Sequence, residues 1–167
     1  LSMSACRLLS FHPRHAAEVA TWALSAGEAR AWAGQATPWP VPASVILSWR
    51  EEPDVRSWLL VEDEAPVAYG ELWVDVEEQE VELGRLIVRP DARGRGVGRL
   101  LVASLLRQAA RTQLPTALVR VVPDNAAALA CYRHAGFTPV DDEERRRFNA
   151  GQPLAYEWLR HDLRAPD

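Results

Sequence analysis

Apolar and polar residues alternate, in part, with the period of β-strands in the middle of the chain. Three such segments follow one another at residues 55–63, 67–76 and 80–89, and the last ends at Pro90. Consecutive strands with short connections are typical of an antiparallel meander. The pattern therefore predicts three neighbouring strands.

After Pro90 the pattern changes to that of helices. The segment 99–111 has one broad apolar face, which predicts an amphipathic helix. Residues 117–122 are typical of a buried strand, and the next helix starts at Asp124 or Asn125, either of which can cap it. That helix is predicted to end at Gly136. A strand, a glycine turn, a helix and a strand in this order predict a right-handed crossover.

The two ends of the chain are less regular. The remaining predicted elements are strands at 5–11, 137–140 and 155–163, a helix at 13–24 and a short helix at 44–51. Three prolines make the stretch 34–42 a loop. The charged segment 141–153 is expected to be poorly ordered. Since no internal repeat is visible, residues 1–167 are predicted to form a single mixed α/β (α+β) domain.

Charge and composition exclude several classes of function. A net charge of −4 argues against nucleic acid as a partner and favours a cationic substrate such as an amine. The two cysteines and four histidines lack the spacing of metal ligands, so we expect no metal. No apolar run approaches the length of a membrane span and no signal-peptide pattern precedes the domain, which predicts a cytoplasmic protein without a membrane partner.

A turn rich in glycine and arginine separates the third meander strand from the following helix. It consists of Arg93, Gly94, Arg95, Gly96, Val97, Gly98 and Arg99. Glycines let the backbone approach a ligand closely, and the free N–H groups at a helix start attract anions. Arginine side chains add hydrogen-bond donors suited to phosphate. The turn therefore predicts a pyrophosphate site.

Two better-known phosphate loops do not fit this turn. A Walker A loop requires Lys followed by Ser or Thr after the last glycine, where this chain has Arg99 and Leu100. A Rossmann turn requires G-x-G-x-x-G and an acidic residue on the next strand, whereas this chain has G-x-G-x-G and Arg120. A surface turn without a ligand is the remaining structural alternative.

Two blocks of the sequence resemble the signature of the GNAT acetyltransferases. The segment 81–102 contains an apolar strand, a proline turn and the pattern R-x-x-G-x-G beginning at Arg93. The segment 121–137 contains an asparagine before an alanine-rich helix, then Tyr132 and Gly-Phe. The order and separation of the blocks match, and the resemblance covers about residues 55–140. It implies the GNAT fold, with a mixed, mostly antiparallel sheet of six or seven strands flanked by about four helices.

The resemblance implies an N-acetyltransferase that passes an acetyl group from acetyl-CoA to a primary amine by direct attack in a ternary complex. In the family the pantetheine lies where two strands splay apart. The backbone of Leu86, Ile87 and Val88 would bind it here and polarise the thioester carbonyl. The amides of the glycine turn would bind the pyrophosphate. Asn125 would contact the cofactor arm as well as cap its helix.

The same resemblance suggests two catalytic residues. Tyr132 would protonate the departing thiolate, since a phenol with a pKa of about 10 can donate to a thiolate of comparable basicity; the alternative is a tyrosine of the core. Glu82 resembles the general base, and Glu71 and Asp75 compete for that role. Arg120 stands where the bacterial ribosomal-protein alanine acetyltransferases carry a glutamate, which argues against that narrower assignment.

The acceptor side is less specific. In the family the segment before the meander walls the acceptor site, and here it contains Trp22, Trp32, Trp39 and Trp49, which line a pocket or belong to the core. Trp158 is expected near the same site or in a homodimer contact, because the late strands are exposed. The identity of the amine is left open. The alternative function is a catalytically silent GNAT domain that senses CoA or mediates protein contacts.

Overall fold

The computed structural model describes residues 6–164, which form a seven-stranded sheet with α-helices on both faces. The strands are β1 (Cys6–Ser10), β2 (Val55–Glu62), β3 (Ala65–Asp75), β4 (Glu80–Val88), β5 (Thr116–Val121), β6 (Thr138–Pro139) and β7 (Glu157–Asp162). The helices are α1 (Ala16–Ala20), α2 (Ala26–Ala33), α3 (Ala43–Trp49), α4 (Val97–Ala110), α5 (Ala126–His134) and α6 (Asp142–Asn149). Ala5, the first residue of the predicted strand 5–11, lies outside the described residues.

The strand order is β1-β2-β3-β4-β5-β7-β6, and β4 and β5 are the one parallel pair in the sheet as described. This confirms the predicted mixed, mostly antiparallel sheet. The pairing of β4 with β5 stops at Glu82 and Leu118, although β4 continues to Val88 and β5 to Val121. The sheet therefore opens into a V beyond Glu82.

A β-bulge in β4 accompanies this opening. Tyr69 of β3 lies opposite Ile87 and Glu71 lies opposite Gly84, so two residue steps on β3 face three on β4. Arg85, inside the bulge, has a φ of 51°, a left-handed conformation that is uncommon for any residue other than glycine. Because a bulge bends the strand that contains it, the extra residue directs the end of β4 away from its neighbour.

Each face of the sheet has its own hydrophobic core. One core packs α4 and α5 on the sheet and includes the fully buried Leu101 and Leu105. The other packs α1, α2 and α3 on the opposite face and includes Ile46 and Tyr69. Burying one such leucine or isoleucine contributes about 2–3 kcal/mol. Packing on both faces thus stabilises the sheet, and with it the two strands that border the V.

Two parts of the sequence prediction were wrong. The predicted helix 13–24 is a 3₁₀ turn followed by the short α1, which ends before Thr21, whose hydroxyl donates to the Glu18 carbonyl at 2.6 Å. The segment 141–153, expected to be poorly ordered, contains α6. Its N-cap Asp141 accepts a hydrogen bond from the Glu144 amide at 2.8 Å, which stabilises the first turn.

Helix α2 was not predicted at all. Ser25 caps it by accepting a hydrogen bond from the Glu28 amide at 3.1 Å, a Ser-x-x-Glu pattern that marks helix starts. With α2 and α6 the described residues contain six α-helices, more than the four expected. None of them is long and apolar enough to cross a membrane.

Candidate active site

The V between β4 and β5 opens onto a cavity of about 310 Å³. Its walls come from the end of α2, from β4 and β5, from α5 and from the segment that precedes β7. Four of the predicted catalytic and cofactor-binding residues line this one cavity: Glu82, Leu86, Asn125 and Tyr132. They come from two blocks of sequence. The parallel pairing of β4 with β5 places these blocks side by side, and the cavity lies where the pairing ends.

Helix α5 places Asn125 and Tyr132 in the cavity. Asn125 is the N-cap, and its side-chain oxygen accepts a hydrogen bond from the Ala128 amide at 3.2 Å, so the predicted capping is confirmed. Tyr132 follows two turns later on the same helix face, and its ring packs edge-on against Phe137. Its hydroxyl makes no hydrogen bond within residues 6–164. Burial raises the pKa of Tyr132, so the phenol stays protonated and able to donate.

Glu82 forms a bidentate ion pair with Arg120. The Arg120 Nε lies 2.6 Å from Glu82 Oε2 and one terminal nitrogen lies 2.9 Å from Oε1, while the other nitrogen donates to Gln152 at 3.1 Å. The guanidinium lies 4.6 Å from the ring centre of Trp158. Burial raises the pKa of the Glu82 carboxyl, and the pairing with Arg120 opposes this effect. Both carboxylate oxygens therefore already accept hydrogen bonds.

The two competing base candidates lie outside the cavity. Glu71 is fully buried and accepts hydrogen bonds from Tyr69, from Trp73 at 2.7 Å and from Arg85 at 2.9 Å. Asp75 is exposed near the end of β3 and accepts a hydrogen bond from a backbone amide in the following turn. The structure therefore brings only Glu82 together with Tyr132.

Arg85, which the sequence analysis missed, holds the bulge in place. Its guanidinium pairs with Glu71 at 2.9 Å and with Glu52 at 3.2 Å, and it lies 4.4 Å from the ring centre of Trp49 and 5.0 Å from that of Trp73. Its carbonyl accepts a hydrogen bond from the indole of α2 at 2.8 Å. No sequence signal marks this role, because it depends on the bulge.

The glycine turn has the backbone geometry of an anion site. Gly94 and Gly96 have φ angles of 77° and 85°, and a Cβ at either position would meet no atom within 4 Å. Gly96 is the N-cap of α4 and supplies no side-chain cap, so amides of the first turn keep their donors for a ligand. The turn therefore fits a pyrophosphate bound through the backbone.

The arginine side chains of this turn are mostly engaged elsewhere. Arg93 donates to Glu28 at 2.8 Å and to two backbone carbonyls, and Arg95 donates to Glu62 at 2.9 Å. Arg99 is exposed, and its guanidinium has no partner among the described residues. Arg93 and Arg95 are therefore already paired in this structure, and the expectation that all three arginines supply side-chain donors to phosphate stays a prediction. Their backbone roles stay predictions.

The last three residues of β4 lie in different environments: Leu86, Ile87 and Val88. The Leu86 side chain packs with the α4 core and this residue lines the cavity, whereas Ile87 is buried in the other core and Val88 is half-buried against α4. The roles proposed for the three concern their backbone. Those roles stay predictions.

The tryptophans of the chain lie in different environments. Trp32 and Trp73 line the cavity, and the sequence analysis had not singled out Trp73. Trp22 and Trp49 are core residues. Trp39 is 48% exposed and lies outside the cavity, where its indole donates to a backbone carbonyl. Residues 6–164 contain no group of three or more His, Cys, Asp or Glu side chains that could hold a metal.

The two parallel strands of the sheet separate over a cavity, and a glycine turn lies at the start of the crossover helix. These features are those of the acetyltransferase class that the two sequence blocks resemble. The chain matches the Acetyltransferase (GNAT) family over residues 19–137 and belongs to that family.

Solved structures agree with this assignment. A chain described as an acetyltransferase from Salmonella typhimurium, solved with acetyl-CoA, superposes with a TM-score of 0.71 at 20% identity, over 98% of both chains. A spermidine N-acetyltransferase from Vibrio cholerae, solved with CoA and spermine, gives 0.74 at 12% identity, over 96% of both chains. At these identities the similarity shows the fold.

Sequence relatives include a mycothiol acetyltransferase from Geodermatophilus obscurus, 36% identical over 118 residues. The match covers 67% of this chain and 35% of the relative. The chain therefore spans about a third of that relative's length.

Proposed function

We propose that this protein is an acetyl-CoA-dependent N-acetyltransferase that acetylates a primary amine. The proposal depends most on one observation: Tyr132, Asn125 and Glu82 line a single cavity at the point where β4 and β5 separate. Membership of the family and the names of the relatives support the same activity.

The acetyl donor, acetyl-CoA, would contact the protein at two places. The backbone amides of the glycine turn would bind the pyrophosphate of acetyl-CoA, with Arg99 at the helix start as a free cation. The Asn125 side chain uses its oxygen for the cap and keeps its NH₂ group for the pantetheine arm. Acetyl-CoA supplies the activated acetyl thioester, and these residues would orient it across the V.

Tyr132 is proposed as the general acid. Its hydroxyl has no competing partner in residues 6–164, and burial keeps the phenol protonated, so its proton is available to the departing thiolate. Glu82 is proposed as the base that takes a proton from the attacking amine. The ion pair with Arg120 must loosen before Glu82 can do so, because both of its oxygens are occupied.

The amine panel for a test follows from the relatives and neighbours. It includes a mycothiol-related amine and a polyamine, together with peptides and amino acids. A single domain, a cytoplasmic location and a homodimer stay predictions from the sequence.

The test measures acetyl-CoA binding by calorimetry and free thiol release with the panel. Tyr132→Phe should lower kcat by about 10²-fold or more without changing acetyl-CoA affinity. Tyr156→Phe removes the other phenol that lines the cavity and should have a smaller effect. The sequence contains no lysine, so no lysine of this chain competes as an acceptor in mass spectrometry.

Two outcomes would contradict the proposal. Absence of acetyl-CoA binding would refute it directly. Tight binding without turnover on any amine, and no change in Tyr132→Phe, would instead establish the catalytically silent domain.

A further inference from the structure

The charge that lines the cavity differs from the charge of the whole chain. The chain carries −4, which favours a cationic substrate. The charged residues of the lining are three arginines and one glutamate, namely Arg30, Arg85, Arg120 and Glu82. Local charge acts on a bound ligand more strongly than the net charge does, because exposed charges beyond about 10 Å are screened. Arg85 is already paired with Glu71 and Glu52. The lining groups open to an anionic group on a substrate are therefore Arg30 and the donors of Arg120 that Glu82 leaves unused.

Arg120 is the arginine best placed to bind such a group. It lies on β5 two residues beyond the last position paired with β4, so it stands in the mouth of the V. The rings of Trp73, Tyr156 and Trp158 lie 5.6, 5.7 and 4.6 Å from its guanidinium. Aromatic contacts of this kind stabilise the cation and hold its plane. The edge of the guanidinium is left for hydrogen bonds.

That edge has unused donors. A guanidinium carries five N–H groups, and Arg120 uses two on Glu82 and one on Gln152. Two N–H groups therefore have no partner within residues 6–164. A carboxylate accepts two parallel N–H bonds from arginine, a geometry that lysine cannot supply.

We infer that the acceptor is a small primary amine that carries a carboxylate, as an amino acid does, and that Arg120 binds this carboxylate. The inference rests on the proposed function and names its substrate class. The cavity, about 310 Å³, lies at the lower end of small-molecule sites and would also receive the acetyl thioester, so the acceptor must be small.

Binding of the carboxylate has a consequence for Glu82. A second carboxylate at Arg120 competes for the guanidinium and weakens its bonds to Glu82. A Glu82 oxygen is then free to accept a proton from the substrate ammonium, and the nitrogen keeps the electron pair that attacks the thioester. Arg120 meanwhile keeps an anionic partner, so this partly buried cation is not left unpaired.

The experiment compares matched acceptors. Each amino acid is assayed beside its amide and its decarboxylated amine, with acetyl-CoA saturating. In the unaltered protein at least one acid should exceed its amide by about 30-fold or more in kcat/KM. Arg120→Gln should reduce this ratio towards one, chiefly by raising KM for the acid, and Arg120→Lys should keep part of it because the cation remains. The ratio is taken within one protein sample, so a loss of folded enzyme cancels.

Arg14→Gln serves as the matched control, because Arg14 is exposed on the 3₁₀ turn outside the cavity. It should keep the ratio of the unaltered protein. The inference is overturned if the unaltered protein acetylates amides as well as acids, whether or not the Arg120 variants fold, or if Arg120→Gln keeps the full preference. If no amine of any class is acetylated, the proposed function itself fails.

Discussion

Replacement of Gly84 by alanine would force Trp73 from its place against β4. A Cβ at position 84 would lie 2.5 Å from Cε2 and 2.6 Å from Cζ2 of the indole, whereas carbon atoms in contact lie about 3.5–4.0 Å apart. The indole is also held, because its Nε1 donates to Glu71 at 2.7 Å and its ring lies 5.0 Å from the Arg85 guanidinium. A rigid ring with these contacts cannot give way as the end of a flexible side chain can.

The overlap sets the expected magnitude. Overpacking of this kind costs about 1–3 kcal/mol, and loss of the indole hydrogen bond to a buried carboxylate costs about 1–3 kcal/mol more. Since the two effects share one movement of the ring, we expect Gly84→Ala to lower the free energy of unfolding by about 2–4 kcal/mol. Trp73 lines the cavity, so kcat/KM should fall as well.

Urea unfolding followed by tryptophan fluorescence and circular dichroism measures this change. Gly27→Ala is the matched control, because its Cβ would lie 3.8 Å from the Ser25 Oγ, an ordinary contact, inside α2. That variant should be at least as stable as the unaltered protein, because alanine favours a helix more than glycine does. A Gly84→Ala protein within about 0.5 kcal/mol of the unaltered one, the range of neutral surface changes, would refute the reasoning.

Three further predictions concern the proposed chemistry. Burial raises the pKa of Glu82 above the ordinary glutamate value of about 4.3. As the pH decreases through this raised pKa, Glu82 is protonated and kcat/KM should fall. Glu82→Gln should remove this decrease from the pH profile. Asn125→Ala should lower the free energy of unfolding by about 1 kcal/mol through loss of the cap and weaken acetyl-CoA binding; Asn125→Asp should keep the cap and lose only the binding, which calorimetry separates. Gly96→Val should abolish acetyl-CoA binding in a domain that circular dichroism shows to be folded, and unchanged affinity would place the anion site elsewhere.

The sheet could be predicted from sequence because its strands carry a local pattern. The segment predicted at 80–89 is observed as Glu80–Val88, and the one predicted at 117–122 as Thr116–Val121. The alternation in the meander is only partial, and β5 is largely apolar, because helices cover both faces of the sheet and bury successive residues of β3 and β5. Both signals exist before any tertiary contact forms.

The two missed helices are short and lack a clear apolar period. Their only local signals are at their starts, where Ser25 and Asp141 each precede a glutamate by three residues. Helix α6 is held by contacts far along the chain, for example the ion pair of Glu144 with Arg160 at 2.6 Å. Such contacts do not show in a local pattern.

The residues of the candidate site also differ in how far the sequence predicts their positions. Tyr132 and Asn125 belong to a sequence block, and α5 fixes their relative positions, so their meeting in one cavity could be expected. The ion pair of Glu82 with Arg120 joins neighbouring strands at the end of their pairing, and its geometry depends on a register that the sequence does not show.

Arg85 links the N-terminal helices to the site through β4. Its left-handed backbone costs about 1–2 kcal/mol, which its ion pair with the buried Glu71 and its contacts with two indole rings offset. Its carbonyl is held by Trp32 of α2 at 2.8 Å, and the next residue, Leu86, lines the cavity. The N-terminal third of the chain therefore helps to fix the bulge in β4. Glu71 lies outside the cavity but bonds to Arg85 and Trp73, two residues that line it.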